Sequence, residues 1–173
     1  MKKFLLSLLV LFVMVGCDNV GNTPTKKVEN YLHKYQTLDK DVLSDLDNTL
    51  ALDNTITEEE RDNYRDFMKK HYQDLEYEIK NETINGNSAN VEVEVTVRDY
   101  SNVVRDANNY KNENPDQFND QLSFSNYRLE QLKQVEEKIT YTITFTLTKQ
   151  DEKWILDQPS NADLNKINGL YTE

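Results

Sequence analysis

The sequence predicts an α+β protein: N-terminal helices packed on a curved antiparallel sheet of about four strands, with a helical insert between strands two and three. Three patterns carry that expectation. Val28, Tyr31, Leu32, Tyr35 and Leu38 recur at three- and four-residue steps, which draws one apolar stripe along a helix. Val91, Val93, Val95 and Val97 alternate with Glu92, Glu94, Thr96 and Arg98. Ile139, Tyr141, Ile143, Phe145 and Leu147 alternate with threonines at the same two-residue period. Strands of this kind cover one face and wet the other, which is the antiparallel habit.

The remaining elements follow in chain order. Asp39 is a plausible N-cap for a second helix with the stripe Leu43, Leu46 and Leu50. Thr57 and Glu60 fit a capping box at the head of a third, which carries Tyr64, Phe67, Met68 and His71 on one side. Strands are expected from about Tyr72, because Leu75, Tyr77 and Ile79 alternate with acidic residues. Asn85-Gly86 suits a type I′ turn into the valine strand. Gln150-Asp151-Glu152 turns the third strand into a fourth with Trp154 and Leu156 inward. Ser160 caps a last short helix carrying Leu164, Ile167 and Leu170.

Residues 99–136 exceed hairpin-loop length and read as a packed helical insert. Val103, Val104, Ala107 and Tyr110 mark one helix, and Leu129, Leu132 and Val135 another piece. Between them Asn114-Pro115 offers a cap and first-turn proline for a helix with Phe118 and Leu122.

Ahead of the domain, Lys2-Lys3, an apolar run from Phe4 to Val15 and then Gly16-Cys17 have the order of a secretory signal. The run is short for a membrane span, which takes about 20 apolar residues. Met14-Val15-Gly16-Cys17 resembles the lipobox of bacterial lipoproteins, which implies acylation of Cys17 and its exposure as the new N-terminus. The expected divisions are a signal at 1–16, a lipidated cysteine and tether at 17–25, and one domain over 26–173. Removing 1–16 takes two lysines away and leaves 157 residues with 18 basic and 31 acidic side chains, a net charge of −13. Such a body repels nucleic acid and anionic lipid, so no nucleic-acid partner is expected and attachment falls to the lipid anchor. The Asn- and Lys-rich, Gly- and Ala-poor composition points to an AT-rich genome, Gram-positive or wall-less, with the protein on the extracytoplasmic face of the cell membrane.

Residues 28–38, the Val91–Val97 arm and the Ile139-to-Trp154 pair together resemble the NTF2-like (cystatin-like α+β) superfamily, in particular its small bacterial lipoproteins. The resemblance spans roughly residues 26–158 and rests on element order. It implies helices lying across the concave face of a cone-shaped sheet. That fold hosts enzymes, ligand binders and protein-binding modules alike.

Chemistry-bearing motifs are few. One cysteine excludes a disulfide framework and a thiolate cluster. His33 is expected on an exposed helix flank, and His71 on a stripe that faces a cavity. Asp45, Asp47 and Asn48 lack the Gly and bidentate Glu of a calcium loop, and Glu58-Glu59-Glu60 is explained by helix capping. No nucleophile elbow or phosphate loop is present. The reading calls for no metal, no cofactor and no catalytic residue. Ten tyrosines remain. Tyr31, Tyr35, Tyr64, Tyr77 and Tyr141, with His71, are the candidates to line a ligand cavity, and Tyr100, Tyr110 and Tyr127 are candidates for a partner surface. The expected function is a lipid-anchored, non-catalytic binding module for an envelope protein or small ligand. The alternatives are a hydrolase or isomerase using the cone cavity with His71, and a passive structural surface lipoprotein.

Overall fold

In a computed structural model, residues 21–54 and 56–172 are described, and they form an α+β fold of six helices and one four-stranded antiparallel sheet. The signal segment, its lipobox and Cys17 lie outside the described residues. Helices α1 (Pro24–Gln36), α2 (Lys40–Leu52) and α3 (Arg61–Gln73) come first. Strands β1 (Glu76–Asn85) and β2 (Ser88–Arg98) follow, then α4 (Ser101–Glu113) and α5 (Gln121–Lys133). Strands β3 (Lys138–Gln150) and β4 (Lys153–Leu156) and helix α6 (Asn161–Ile167) complete the fold. The sheet is a simple meander in the order β1-β2-β3-β4.

The valine alternation does what its period requires. Val91, Val93, Val95 and Val97 are almost fully buried, facing Phe145, Ile143, Tyr141 and Ile139 across the β2–β3 ladder. The threonine face of β3 points to water, where Thr96 and Thr140 join hydroxyls at 2.8 Å. Val28 and Leu32 of α1 and Ile167 of α6 close the covered face, each fully buried. A bulge at Lys80 shifts the phase of β1, pairing Ile79 with Val93 but Asn81 with Glu92. Beyond it Glu82, opposite Val91, accepts from the Thr25 amide at 2.8 Å and its hydroxyl at 2.6 Å. A carboxylate thereby meets the positive end of α1.

Several boundaries differ from the expectation. The tether ends earlier: Thr23 caps α1, and Asn22 bonds the Glu152 carbonyl and the Trp154 amide. Leu38 lies past α1 with φ 54°, in the left-handed turn that returns the Asp39 amide to the Lys34 carbonyl at 2.9 Å. The buried stripe of α2 is Val42, Leu46 and Leu50, and Leu43 is only half-buried. Thr57 makes no side-chain cap, so the capping box is absent; α3 is entered through a 3₁₀ turn, Glu58–Glu60, instead. Tyr72 belongs to α3, not to a strand. The helix expected at Asn114-Pro115 is a single 3₁₀ turn, Pro115–Gln117. Leu122 belongs to α5, capped by Asp120 through the Ser123 amide, and that helix also carries Leu129 and Leu132. Leu170 lies beyond α6 and is exposed.

The first hairpin turn differs from the expected type, and the second takes the type I′ form. Asn85 pairs with Ser88, so the first turn is Gly86-Asn87, and only Gly86 takes positive φ (59°), the pattern of type II′. Asp151 (φ 47°) and Glu152 (φ 62°) both sit left-handed, which is the type I′ pattern; aspartate tolerates that conformation and glutamate disfavours it. Replacing Asp151-Glu152 with Asn-Gly is therefore expected to raise the thermal midpoint by roughly 2–4 °C, measured by circular dichroism.

Candidate functional site

A second buried cluster lies beside the sheet core. Val42, Leu46 and Leu50 of α2 pack with Ile56, with Tyr64 and Tyr72 of α3, with Tyr100, and with Leu129 and Leu132 of α5. The insert is fixed to the sheet end by Arg98, which donates to Asp74 at 3.0 Å and to the Val135 carbonyl at 2.6 Å. Gly169 (φ 68°) brings the C-terminal segment onto the same corner and accepts from the Tyr100 amide at 2.8 Å. A Cβ there would fall 2.0 Å from the Arg98 carbonyl oxygen, so no other residue fits.

Between this cluster, α1 and the 158–170 segment runs an open cleft of about 740 Å³. Tyr31, Tyr35, Tyr64, Tyr72 and Tyr100 line it together with the apolar row of α2. Tyr31 and Tyr35 bring their hydroxyls to 3.1 Å, and their rings meet edge to face at 5.5 Å. Tyr35 meets Tyr72 the same way at 5.0 Å. Burial raises the Tyr31, Tyr35 and Tyr72 hydroxyls above the usual phenol range, so all three stay neutral. Tyr64 donates to the Ser125 carbonyl at 3.0 Å and accepts from Arg128 Nε at 2.9 Å. The Arg128 guanidinium also lies over the Tyr64 ring, 5.3 Å from its centre.

The predicted cavity residues separate into three groups. Tyr31, Tyr35 and Tyr64 line the cleft. Tyr77 and Tyr141 do not; they pack half-buried on the covered face of the sheet, and Tyr141 meets the Tyr171 ring at 5.7 Å. The space between α1 and the sheet, where the sequence placed a cavity, is filled by Val28 and Leu32. His71 faces an adjoining hollow of about 370 Å³ with Asp74, Arg98 and Tyr100. Its Nε2–H donates to the Ile167 carbonyl at 2.9 Å, while Asp74 is taken up by Arg98 and Lys138. His33 is exposed, as expected. Asp45, Asp47 and Asn48 are helical, and Asp47 pairs with Arg65. Among the described residues no group of three or more His, Cys, Asp or Glu could hold a metal ion, and no helix is long and apolar enough to cross a membrane.

Sequence reasoning missed Tyr72, Tyr100 and Arg128 as lining residues. Tyr72 stands four residues beyond Met68 and eight beyond Tyr64, so the α3 stripe, extended by one turn, would have found it. Tyr100 is buried between Phe67 and His71, ring centres 5.1 Å from each, and so pins the insert instead of presenting a surface. Tyr110 and Tyr127 stack on each other at 5.3 Å, half-buried beside Phe118.

Comparison with known proteins adds one likeness. No protein-family model matches the chain, and no curated protein matches it. Among solved structures, the crystal structure of a proposed lipoprotein, YcdA, from Bacillus subtilis is similar, with 17% identity and a TM-score of 0.43. The match covers 88% of this chain and 48% of that one, so the chain spans about half the length of YcdA.

His71 carries a stability consequence. Burial, set against the bond to Ile167 and the nearby Asp74 charge, pushes its imidazole down to about 4. The unfolded chain takes up this proton near pH 6.5 while the folded chain does not, so its contribution is complete above pH 6.5 and drains away as pH falls to 4. The loss is on the order of 3 kcal/mol. Urea denaturation of the wild type is expected to show that decline, and His71→Gln to flatten it between pH 6.5 and 5.

Proposed function

We propose that the protein is a lipid-anchored, extracytoplasmic binding module, non-catalytic, that takes a small amphipathic ligand into the tyrosine-lined cleft. The observation that carries this reading is the cleft itself. Pockets of about 300–1,000 Å³ with apolar walls and a few convergent polar groups are the usual form of small-ligand sites. Here the walls are leucine, valine and methionine, and the polar groups include neutral phenols, the Arg128 guanidinium, Lys34 and the carboxylates of Asp41, Asp45 and Asp53. His71 lies outside it, bonded to a backbone carbonyl, which favours binding over proton-transfer chemistry.

The NTF2-like assignment belongs to the same proposal. Its support is α1 lying on the covered face of a meander sheet, with α2 and α3 following before the first strand. Membrane attachment rests on Met14-Val15-Gly16-Cys17 and on the strongly acidic body, which supplies no electrostatic attraction to anionic lipid. The half-exposed ring cluster of Tyr110, Phe118 and Tyr127 on the 99–136 insert would then be the surface left for an envelope partner.

Two measurements test the reading. The neutral dye N-phenyl-1-naphthylamine is expected to bind the full chain with a rise in fluorescence. Thr49→Trp, at an exposed cleft position, is expected to weaken binding tenfold or more with little change in thermal midpoint. An unaltered dye isotherm would remove the cleft from the proposal. For the anchor, Cys17→Ala is expected to move the protein from the membrane fraction to the medium, and retention in the detergent phase would contradict acylation.

A further inference from the structure

The cleft is electrically uneven. Its wall from α1, α2 and α3 holds Tyr31, Tyr35 and Tyr72, three rings in continuous edge-to-face contact, and with them Asp45. Asp45 is exposed at this wall and enters no ion pair among the described residues. Its neighbours on the helix differ. Asp41 is held by Lys34 at 2.8 Å, and Asp47 by Arg65. Asp45 lines the same cleft as the three phenols, and its charge is one of the influences raising each of them. The positive groups on the cleft are already engaged. Lys34 reaches Asp41 and, at 3.9 Å, Asp39, and Arg128 donates to Tyr64.

A cluster of electron-rich rings on a wall that also carries a carboxylate outside any ion pair among the described residues is an environment suited to an organic cation. Ring quadrupoles attract an ammonium within about 6 Å, and the attraction grows when water is excluded. An anion at the same place would meet Asp45, with the acidic body behind it. From this wall the apolar row of Val42, Leu46 and Leu50 continues along the cleft and fits a hydrocarbon body.

Resting on the binding reading above, we infer that the cleft selects an amphipathic organic cation, its ammonium head among Tyr31, Tyr35, Tyr72 and Asp45 and its apolar body along α2. The head requires no hydrogen-bond donor of its own, so a quaternary ammonium serves as well as a primary one.

The test uses three probes of one shape on the full chain: benzyltrimethylammonium, benzyl alcohol and benzenesulfonate, titrated by calorimetry. The expected order is cation first, about tenfold or more tighter than the alcohol, with the sulfonate weakest. Asp45→Asn is expected to weaken the cation at least fivefold and leave the neutral naphthylamine dye unchanged; Tyr35→Leu is expected to weaken the cation, with the thermal midpoint reporting on the fold. Equal affinity for cation and alcohol, or indifference of the cation to Asp45→Asn, overturns the inference. If the dye still binds and Thr49→Trp still blocks it, the cation inference alone has failed. If the dye also fails to bind, the cleft reading falls with it.

Discussion

The fold depends on the row of valines in β2. It is the strand with a long partner on each side, β1 and β3, and its inward residues have no contact with water. Four valines fully buried are worth on the order of 1.5–3 kcal/mol each, enough to fix which face of the sheet is covered. A slip of one residue would place Glu92 and Glu94 against α1 and put the valines in solvent. Register, the seat of α1 and the direction of every neighbouring strand follow from that single alternation.

With one sheet face closed by α1 and α6, the helical layer of α2, α3, α4 and α5 has no further sheet to cover. It packs on itself and is held at the sheet end by a polar corner. Arg98 joins the end of α3 to the end of the insert, and Gly169 tucks the C-terminal segment beneath Tyr100. These polar ties fix position with little apolar area, and the Tyr100 ring packed between Phe67 and His71 adds the apolar contact. The layer touches α1 where the Tyr35 ring meets Tyr72 of α3, and the space left between α1, α2 and the 158–170 segment is the cleft. The hollow at His71 belongs to the corner, and its histidine works as a buried donor to Ile167, neutral across the ordinary pH range.

Most of the sheet was legible in the sequence because period two in Val, Ile and Phe leaves one physical solution. Helix ends were less so, since capping is decided by a few hydrogen bonds that compete with tertiary contacts. Thr57 gave up its cap role to a 3₁₀ turn, and Asp120, unread in the sequence, capped α5. The first hairpin turn departed from expectation for a similar reason. Asn-Gly is a strong local signal, yet the register set by Ala89 and Val91 moves the turn one residue on. At the site, three of six candidate residues reached the cleft. Periodicity tells which face of an element is covered but not by what, and Tyr77 and Tyr141 met sheet core where Tyr31 and Tyr35 met an opening.

The use of tyrosine at that opening has a physical basis. A leucine or phenylalanine cluster left facing a cleft of this size would favour collapse of α2 onto α1, because the exposed apolar area could then be buried at no polar cost. Tyrosine resists that closure. Its hydroxyl must keep a partner, and in the Tyr31–Tyr35 pair and the Tyr64–Ser125 bond the partners lie on the protein while the ring flanks stay available. The hydroxyls of Tyr31, Tyr35 and Tyr64 thus have partners on the protein without a ligand, which favours an opening that stays open. On the proposed binding reading the same rings would meet a ligand by face and edge, contacts that need no rearrangement of the hydrogen bonds beneath them. A preformed site of that kind gains selectivity from what stands beside the rings. The exposed carboxylate of Asp45 on that wall enters no ion pair among the described residues, and on the cation proposal the sign of the ligand's charge, more than its shape, would decide what enters.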